Sequence, residues 1–178
     1  MTPADIAWIA IGVVWFVYAF RNKATARRQP AAWLAVHLLI LGIAIALLKV
    51  RTPRFIPDAP VVDWTAQALQ ILGIAFAIWA RFHIGRNWSG LVTLKEDHAL
   101  LRTGPYAVVR HPIYSGLLLA VLGVALGRGR LTAFLGCLLL FAEFKRKSLA
   151  EERLMHLQFG DAYTRYSHEV KALIPTLW

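Results

Sequence analysis

Apolar residues fall into five blocks, separated by connections rich in charge, Pro and Gly. The first runs from Ile6 to Phe20 without a charge, and Pro3 and Ala4 extend it at its start. The second, Ala31 to Leu48, is interrupted only by His37. The third, about Val61 to Ala80, is mixed early and uniformly apolar from Ile71. The fourth is Ile113 to Gly127, and the fifth, Leu131 to Ala142, stops at Glu143. A hydrocarbon layer of ~30 Å needs about 20 helical residues. The first three blocks therefore predict membrane-spanning helices. The last two reach only ~22 and ~18 Å. Either they borrow flanking polar residues that snorkel to the interface, or Glu143 sits at membrane depth facing protein rather than lipid. The short Gly127-Arg128-Gly129-Arg130 connection predicts a tight hairpin of the fourth and fifth helices.

Composition agrees with this pattern. Of 178 residues, 58% are hydrophobic and 17% charged, against about 45–50% and 25% in soluble domains. Disorder and a disulfide scaffold are excluded, the latter because Cys137 stands alone. The net charge of +10 would suggest nucleic acid in a soluble protein. Here it follows the membrane pattern. Fifteen Lys and Arg lie after the first, third and fifth blocks, against five in the other connections. That bias predicts an N-terminus outside and a C-terminus in the cytoplasm, which for a bacterial chain means the inner membrane. No Lys or Arg precedes Ile6, so the first block reads as a retained helix rather than a signal peptide. The expected fold is all-α, a polytopic membrane protein of about five helices with a cytoplasmic helical segment after the last. It forms a single domain over residues 1–178, with three N-terminal spans in 1–80 and a polar-rich half in 81–178.

Polar chemistry concentrates in that second half. The string Arg110-His111-Pro112-Ile113-Tyr114-Ser115-Gly116 opens the fourth helix, with Pro112 at the first helical position. Arg110 and His111 then stand at a helix N-terminus, which with a guanidinium makes an anion site. Membrane anchoring would explain Arg or Tyr alone but requires neither His-Pro nor Gly. The fifth helix continues through Glu143, Lys147, Glu151 and Glu152 to a stop at Gly160. Glu143, Lys147 and Glu151 step by four, the spacing of a surface salt-bridge ladder. His37 reads as a buried, hydrogen-bonded residue. The six histidines show no metal-ligand spacing, and no glycine fingerprint for a nucleotide is present.

Taken in order, Gly104-Pro105-Tyr106, Arg110-His111-Pro112 with Tyr114 and Gly116, the hairpin, Glu151-Glu152 with Leu154, Phe159-Gly160 with Tyr163 and Tyr166, and Ile174-Pro175 resemble the isoprenylcysteine carboxyl methyltransferase and phospholipid methyltransferase group of membrane enzymes. The resemblance covers about Gly85 to Pro175. It implies S-adenosylmethionine bound at the cytoplasmic end of the last hairpin, without a Rossmann domain. It further implies cofactor-binding roles for Gly104, Tyr106, His111, Tyr114, Gly116, Glu151 and Glu152, with Arg110 and Glu152 closest to the reaction and no metal. The acceptor it implies is a small lipophilic molecule taken from the bilayer, bearing a carboxylate, amine or thiol.

The residue chemistry fits that expectation. The cofactor's carboxylate suits Arg110 and the helix N-terminus, and its cationic groups and ribose suit Glu151 and Glu152. A carboxylate acceptor needs no general base, whereas an amine or phenol does, for which Glu143, His83 and His111 are the candidates. Two rival readings remain at this point: an NADPH-dependent membrane reductase of the sterol and steroid type, which carries a similar His-Pro-x-Tyr block, and a non-enzymatic membrane subunit.

Overall fold

The computed structural model describes residues 1–19, 25–28, 31–85, 93–95 and 100–176. Six helices make up its body: α1 Pro3–Ala19, α2 Ala31–Lys49, α3 Pro60–Ile84, α4 Pro112–Arg128, α5 Leu131–Phe159 and α6 Asp161–Glu169. Each apolar block forms one helix, and α3 and α4 begin on Pro60 and Pro112 as proline's fixed φ and missing N–H favour. The all-α expectation gains one addition. Two short strands, β1 Thr25–Arg28 and β2 Thr93–Lys95, pair antiparallel. Arg21, Lys23, Arg86 and His98, which contribute to the charge and histidine readings, lie outside the described residues.

Two helices, α2 from Ala32 and α3, are long and apolar enough to cross a membrane, and α1 and α4 are shorter apolar helices. At 29 residues α5 is ~43 Å long, longer than a ~30 Å hydrocarbon layer. Its first half is apolar and its second half, from Glu143, is charged.

Loop contacts set the directions of the helices. The ends of α1 and α3 meet directly, because Arg81 of α3 donates to the Tyr18 carbonyl at 3.2 Å and lies over the Tyr18 ring. The β1–β2 pair joins the connections that follow these two helices. At the opposite end, the connection after α2 meets the α4–α5 turn, with Phe55 N–H on the Gly129 carbonyl at 2.9 Å. Gly129 makes that turn possible with φ 58°, ψ 27°, a left-handed conformation that suits residues without a Cβ.

The core is a seam of small residues between α3 and α4. Ala66, Gly73 and Ala77 face Gly116, Ala120 and Gly123, and a Cβ on Gly73 would lie 2.4 Å from the Gly116 carbonyl oxygen. Such seams let helix backbones approach closely where lipid offers no hydrophobic drive to associate. The helix α2 packs on α5 through Ala44 and Leu140 and through a polar cluster. There Glu143 accepts from His37 Nδ1 at 2.5 Å and from Arg146 Nε and Nη2 at 2.8 and 2.6 Å. Trp33 covers both partners, stacked on the His37 ring and 4.2 Å from the Arg146 guanidinium carbon. Glu143 is thus inside protein, and His37 is a buried hydrogen-bonded residue. The surface ladder of Glu143, Lys147 and Glu151 does not form, because all three turn inward against α2 and α4.

Candidate active site

The site forms where the start of α4 meets the charged half of α5. A tight turn over Gly104–Ala107 leads through an extended stretch to His111, the residue that precedes the first turn of α4. Residues 170–173, after α6, run beside this stretch as a strap. Arg110 and His111 donate their backbone N–H groups to the Lys171 and Ala172 carbonyls at 2.8 and 3.0 Å, and Ser115 Oγ donates to the Leu173 carbonyl at 2.6 Å. The Tyr166 hydroxyl donates to the Tyr106 carbonyl at 2.6 Å, fixing α6 to the turn.

Held this way, Arg110, His111 and Tyr114 reach Glu151 and Glu152, some forty residues later in the chain. One Glu152 oxygen, Oε1, accepts from Arg110 Nε and Nη2 at 2.9 and 2.7 Å and from His111 Nε2 at 3.0 Å. The other imidazole nitrogen lies 3.4 Å from Glu151 Oε2. Tyr114 donates its hydroxyl to Glu151 Oε1 at 2.6 Å. An imidazolium has a donor for each carboxylate, so two cations stand against two anions. Burial alone would lower the His111 pKa, but its hydrogen bonds and charge interactions with Glu151 and Glu152 hold it above its ordinary value. Burial would likewise raise Glu152, yet His111 and then Arg110 hold it below the usual carboxylate range. Burial also raises Tyr106 and Tyr163, and pushes Tyr166 up to about 12.

An aromatic stack backs the carboxylates. The Tyr114 ring lies between His111, 5.6 Å away at 7°, and Phe144, 4.9 Å away at 20°. The Lys147 ammonium stands 5.4 Å from its centroid.

The structure brings together Arg110, His111, Tyr114, Glu151 and Glu152, with Tyr106 in the cluster against which Tyr114 packs and within reach of the Glu151 charge, and it gives Gly104 and Gly116 other neighbours. Gly116 faces α3, where a Cβ would meet the Gly73 carbonyl oxygen at 2.5 Å. Gly104 covers the His83 ring, 2.8 Å from where its Cβ would be, and Tyr106 is buried in a cluster with Ala80 and Ile113. His83 bonds Thr103 Oγ1 at 2.9 Å. Arg110 differs most from the anion-site expectation. Its Nε and Nη2 are on Glu152 and its Nη1 is on the Ser167 and Val170 carbonyls. Its guanidinium is spent on holding the site together. Lys147, which the sequence offers only as a rung of a surface ladder with Glu143 and Glu151, is buried beside Tyr114.

The charged cluster thus sits between the start of α4 and the polar half of α5, with no nucleotide-binding sheet among the described residues. The profile of the phospholipid methyltransferase family matches residues 62–162, from α3 through the cluster to α6. The chain belongs to that family and is a methyltransferase. It is similar to the protein-S-isoprenylcysteine O-methyltransferase of Schizosaccharomyces pombe, 29% identical over 163 residues, covering 83% of this chain and 68% of that one. A probable protein-S-isoprenylcysteine O-methyltransferase of Oryza sativa subsp. indica is 26% identical over 143 residues, covering 76% of this chain and 75% of its own length. Protein-S-isoprenylcysteine O-methyltransferase B of Arabidopsis thaliana is 28% identical over 108 residues, covering 59% and 55%. None of these relatives is a reductase.

Proposed function

We propose that this chain transfers the methyl group of S-adenosylmethionine to a lipophilic carboxylate of the isoprenylcysteine kind, at the cytoplasmic side of a membrane it crosses five times. The observation that carries this reading is the placement of Glu151. Tyr114 and His111 orient its carboxylate, and its side chain keeps 21% of its surface open, whereas Glu152 is closed in by Arg110 and His111. An open carboxylate beside stacked aromatic rings suits an ammonium, a ribose diol and a cationic sulfur. The alternating helix directions and the basic residues after α1, α3 and α5 support the proposed orientation.

When bound, S-adenosylmethionine supplies an electrophilic methyl group on a cationic sulfur. The protein's share is to bind and align. Glu151 is the anionic contact, Tyr114 and His111 set its position, and Arg110 keeps Glu152 charged behind His111. Gly116 lets α4 approach α3, and Gly104 and Tyr106 shape the turn that delivers His111. A carboxylate acceptor attacks through its own lone pair, so no side chain has to remove a proton. That agrees with the engagement of Glu143 by His37 and Arg146.

The test uses the detergent-purified chain. S-adenosylhomocysteine is expected to raise its thermal midpoint and NADPH to leave it unchanged, since a ligand of the folded state stabilises by mass action. Label from methyl-labelled S-adenosylmethionine is expected in S-farnesylcysteine as a base-labile ester. Label found in a phospholipid amine would replace the carboxylate with an amine acceptor. A midpoint raised by NADPH alone, with no methyl transfer, would overturn the reading.

A further inference from the structure

An apolar stripe on α4 leads away from the candidate site into the membrane-spanning part of the molecule. Tyr114, whose hydroxyl holds Glu151, is followed by Leu117, Leu118 and Val121, the i, i+3, i+4, i+7 spacing of one helix face. Leu117 packs into the cluster that joins α1 to α3 and α4, and Leu118 into the cluster that joins α2 to α4 and α5. The stripe therefore runs between α1 and α2. Tyr114, Leu117 and Leu118 stay half-buried along it, whereas Val121 is buried. The closure comes from Trp8 of α1, which packs against both clusters and so crosses α4 at the level of Ala120 and Val121. Lipid offers an indole N–H no partner. Gln70 of α3 supplies one, accepting from Trp8 Nε1 at 3.0 Å while its own amide donates to the Ala66 carbonyl at 3.1 Å. The indole is thus anchored where it stands. From Tyr114 to Val121 the stripe is about 10 Å long, roughly a third of a hydrocarbon layer.

The acceptor of the proposed reaction is lipophilic, and its reacting group has to reach the site at Tyr114 and Glu151. Its tail needs an apolar path that starts there, and this stripe does. We propose that the acceptor's apolar tail lies on the stripe between α1 and α2, and that Trp8 ends the path and so sets the tail length the enzyme accepts. The inference rests on the methyl-transfer reading above and gives it a specificity. A tail arriving from lipid gains little from burial alone, because lipid is as apolar as leucine. Length is therefore read by fit. A tail that stops short of Trp8 stays on the stripe. A longer one has to displace an anchored indole or turn out between the helices, which draws the reacting group away from the donor. A misplacement of about 1 Å at the reacting atoms can cost on the order of 100-fold in rate.

The test takes the full chain in detergent as wild type, Trp8→Ala, Trp8→Phe and Leu118→Trp. Each is assayed with methyl-labelled S-adenosylmethionine on S-geranylcysteine, S-farnesylcysteine and S-geranylgeranylcysteine. A thermal midpoint raised by S-adenosylhomocysteine shows that a variant is folded with its donor site intact. Trp8→Ala opens the path, and the ratio of kcat/KM for the geranylgeranyl over the geranyl acceptor is expected to rise roughly tenfold or more. Leu118→Trp fills the path midway and is expected to lower that ratio by roughly the same factor. Trp8→Phe keeps a ring at the stop and stays near the wild-type ratio. Should Trp8→Ala fail to fold, Leu118→Trp decides. Side chains that merely support the fold would lower all three acceptors by one factor. Unchanged ratios in folded variants therefore overturn the tail assignment and leave methyl transfer standing. A wild type stabilised by S-adenosylhomocysteine that methylates none of the three also overturns the tail assignment alone, and one that is neither stabilised nor active overturns the methyl-transfer reading with it.

Discussion

The commitment of Arg110 to Glu152 can be tested by a double-mutant cycle on stability. Glu152→Gln keeps the side chain's shape but removes the charge that faces a guanidinium and an imidazole. Breaking a buried ion pair costs about 3–5 kcal/mol, because the remaining charge is left uncompensated. The two side chains are 11% and 14% exposed, so some solvent screening persists and the low end, ~3 kcal/mol, applies. At this chain length each kcal/mol moves a thermal midpoint by about 2–4 °C, which gives a drop of about 6–12 °C. Arg110→Met should cost more, since it also strands the Ser167 and Val170 carbonyls, each worth about 1–3 kcal/mol if left buried and unsatisfied. The double variant removes both charges together, so its loss should fall short of the sum of the single losses by roughly 0.5–3 kcal/mol. The assay is thermal unfolding in mild detergent followed by circular dichroism. Additive losses within error, or an Arg110→Met variant of unchanged stability whose only defect is a raised donor KM, would refute the clamp and return Arg110 to the role of ligand contact.

Three further outcomes follow from the same geometry. The raised His111 pKa contributes stability that is complete below its ordinary 6.5 and lost as pH rises through the folded-state value, while the lowered Glu152 pKa contributes stability that is complete above 4.5 and lost as pH falls through its folded-state value. The thermal midpoint should therefore be highest between pH 4.5 and 6.5, and His111→Gln should flatten the alkaline limb in a pH series. Gly73→Ala places a methyl group about 1 Å closer to the Gly116 carbonyl and the Ala120 nitrogen than ordinary contact permits, so overpacking should cost about 1–3 kcal/mol by the same unfolding assay. Tyr166→Phe removes the donor to the buried Tyr106 carbonyl and should cost about 1–3 kcal/mol, with S-adenosylhomocysteine affinity falling as the turn loosens.

What the sequence made legible and what it hid divide along the range of the interactions. The starts of α2 to α5 follow from local apolar runs, from Pro112 and from the Gly127–Arg130 turn, because a lipid-facing helix advertises itself residue by residue. The stop after Phe159 was legible at Gly160 for the same reason. His37 and Glu143 were each conspicuous in apolar surroundings, but their pairing across 106 residues was not. The motif order pointed to His111, Tyr114, Glu151 and Glu152 as a group without saying which touches which. The partners of Arg110 were not legible because they include main-chain carbonyls of residues 167 and 170, whose positions depend on how α6 folds back. Lys147 was lost in a four-residue spacing that reads as a surface ladder until the face of α5 is known. The β1–β2 pair left no trace in sequences of four and three residues.

The strap across the start of α4 bears on the order in which the protein comes into being. Arg110, His111 and Ser115 reach acceptors about sixty residues further along the chain. At synthesis rates of about 5–20 residues per second, the head of α4 exists for roughly 3–12 s before residues 171–173 are made. Glu151 and Glu152 also arrive late in that interval. The apolar helices must therefore find their places while the cations at the head of α4 are still hydrated and have no carboxylate to meet. Threading into the membrane and assembling the reaction centre become separate events, and a ribosome halted before the strap would leave a chain that is inserted but chemically silent.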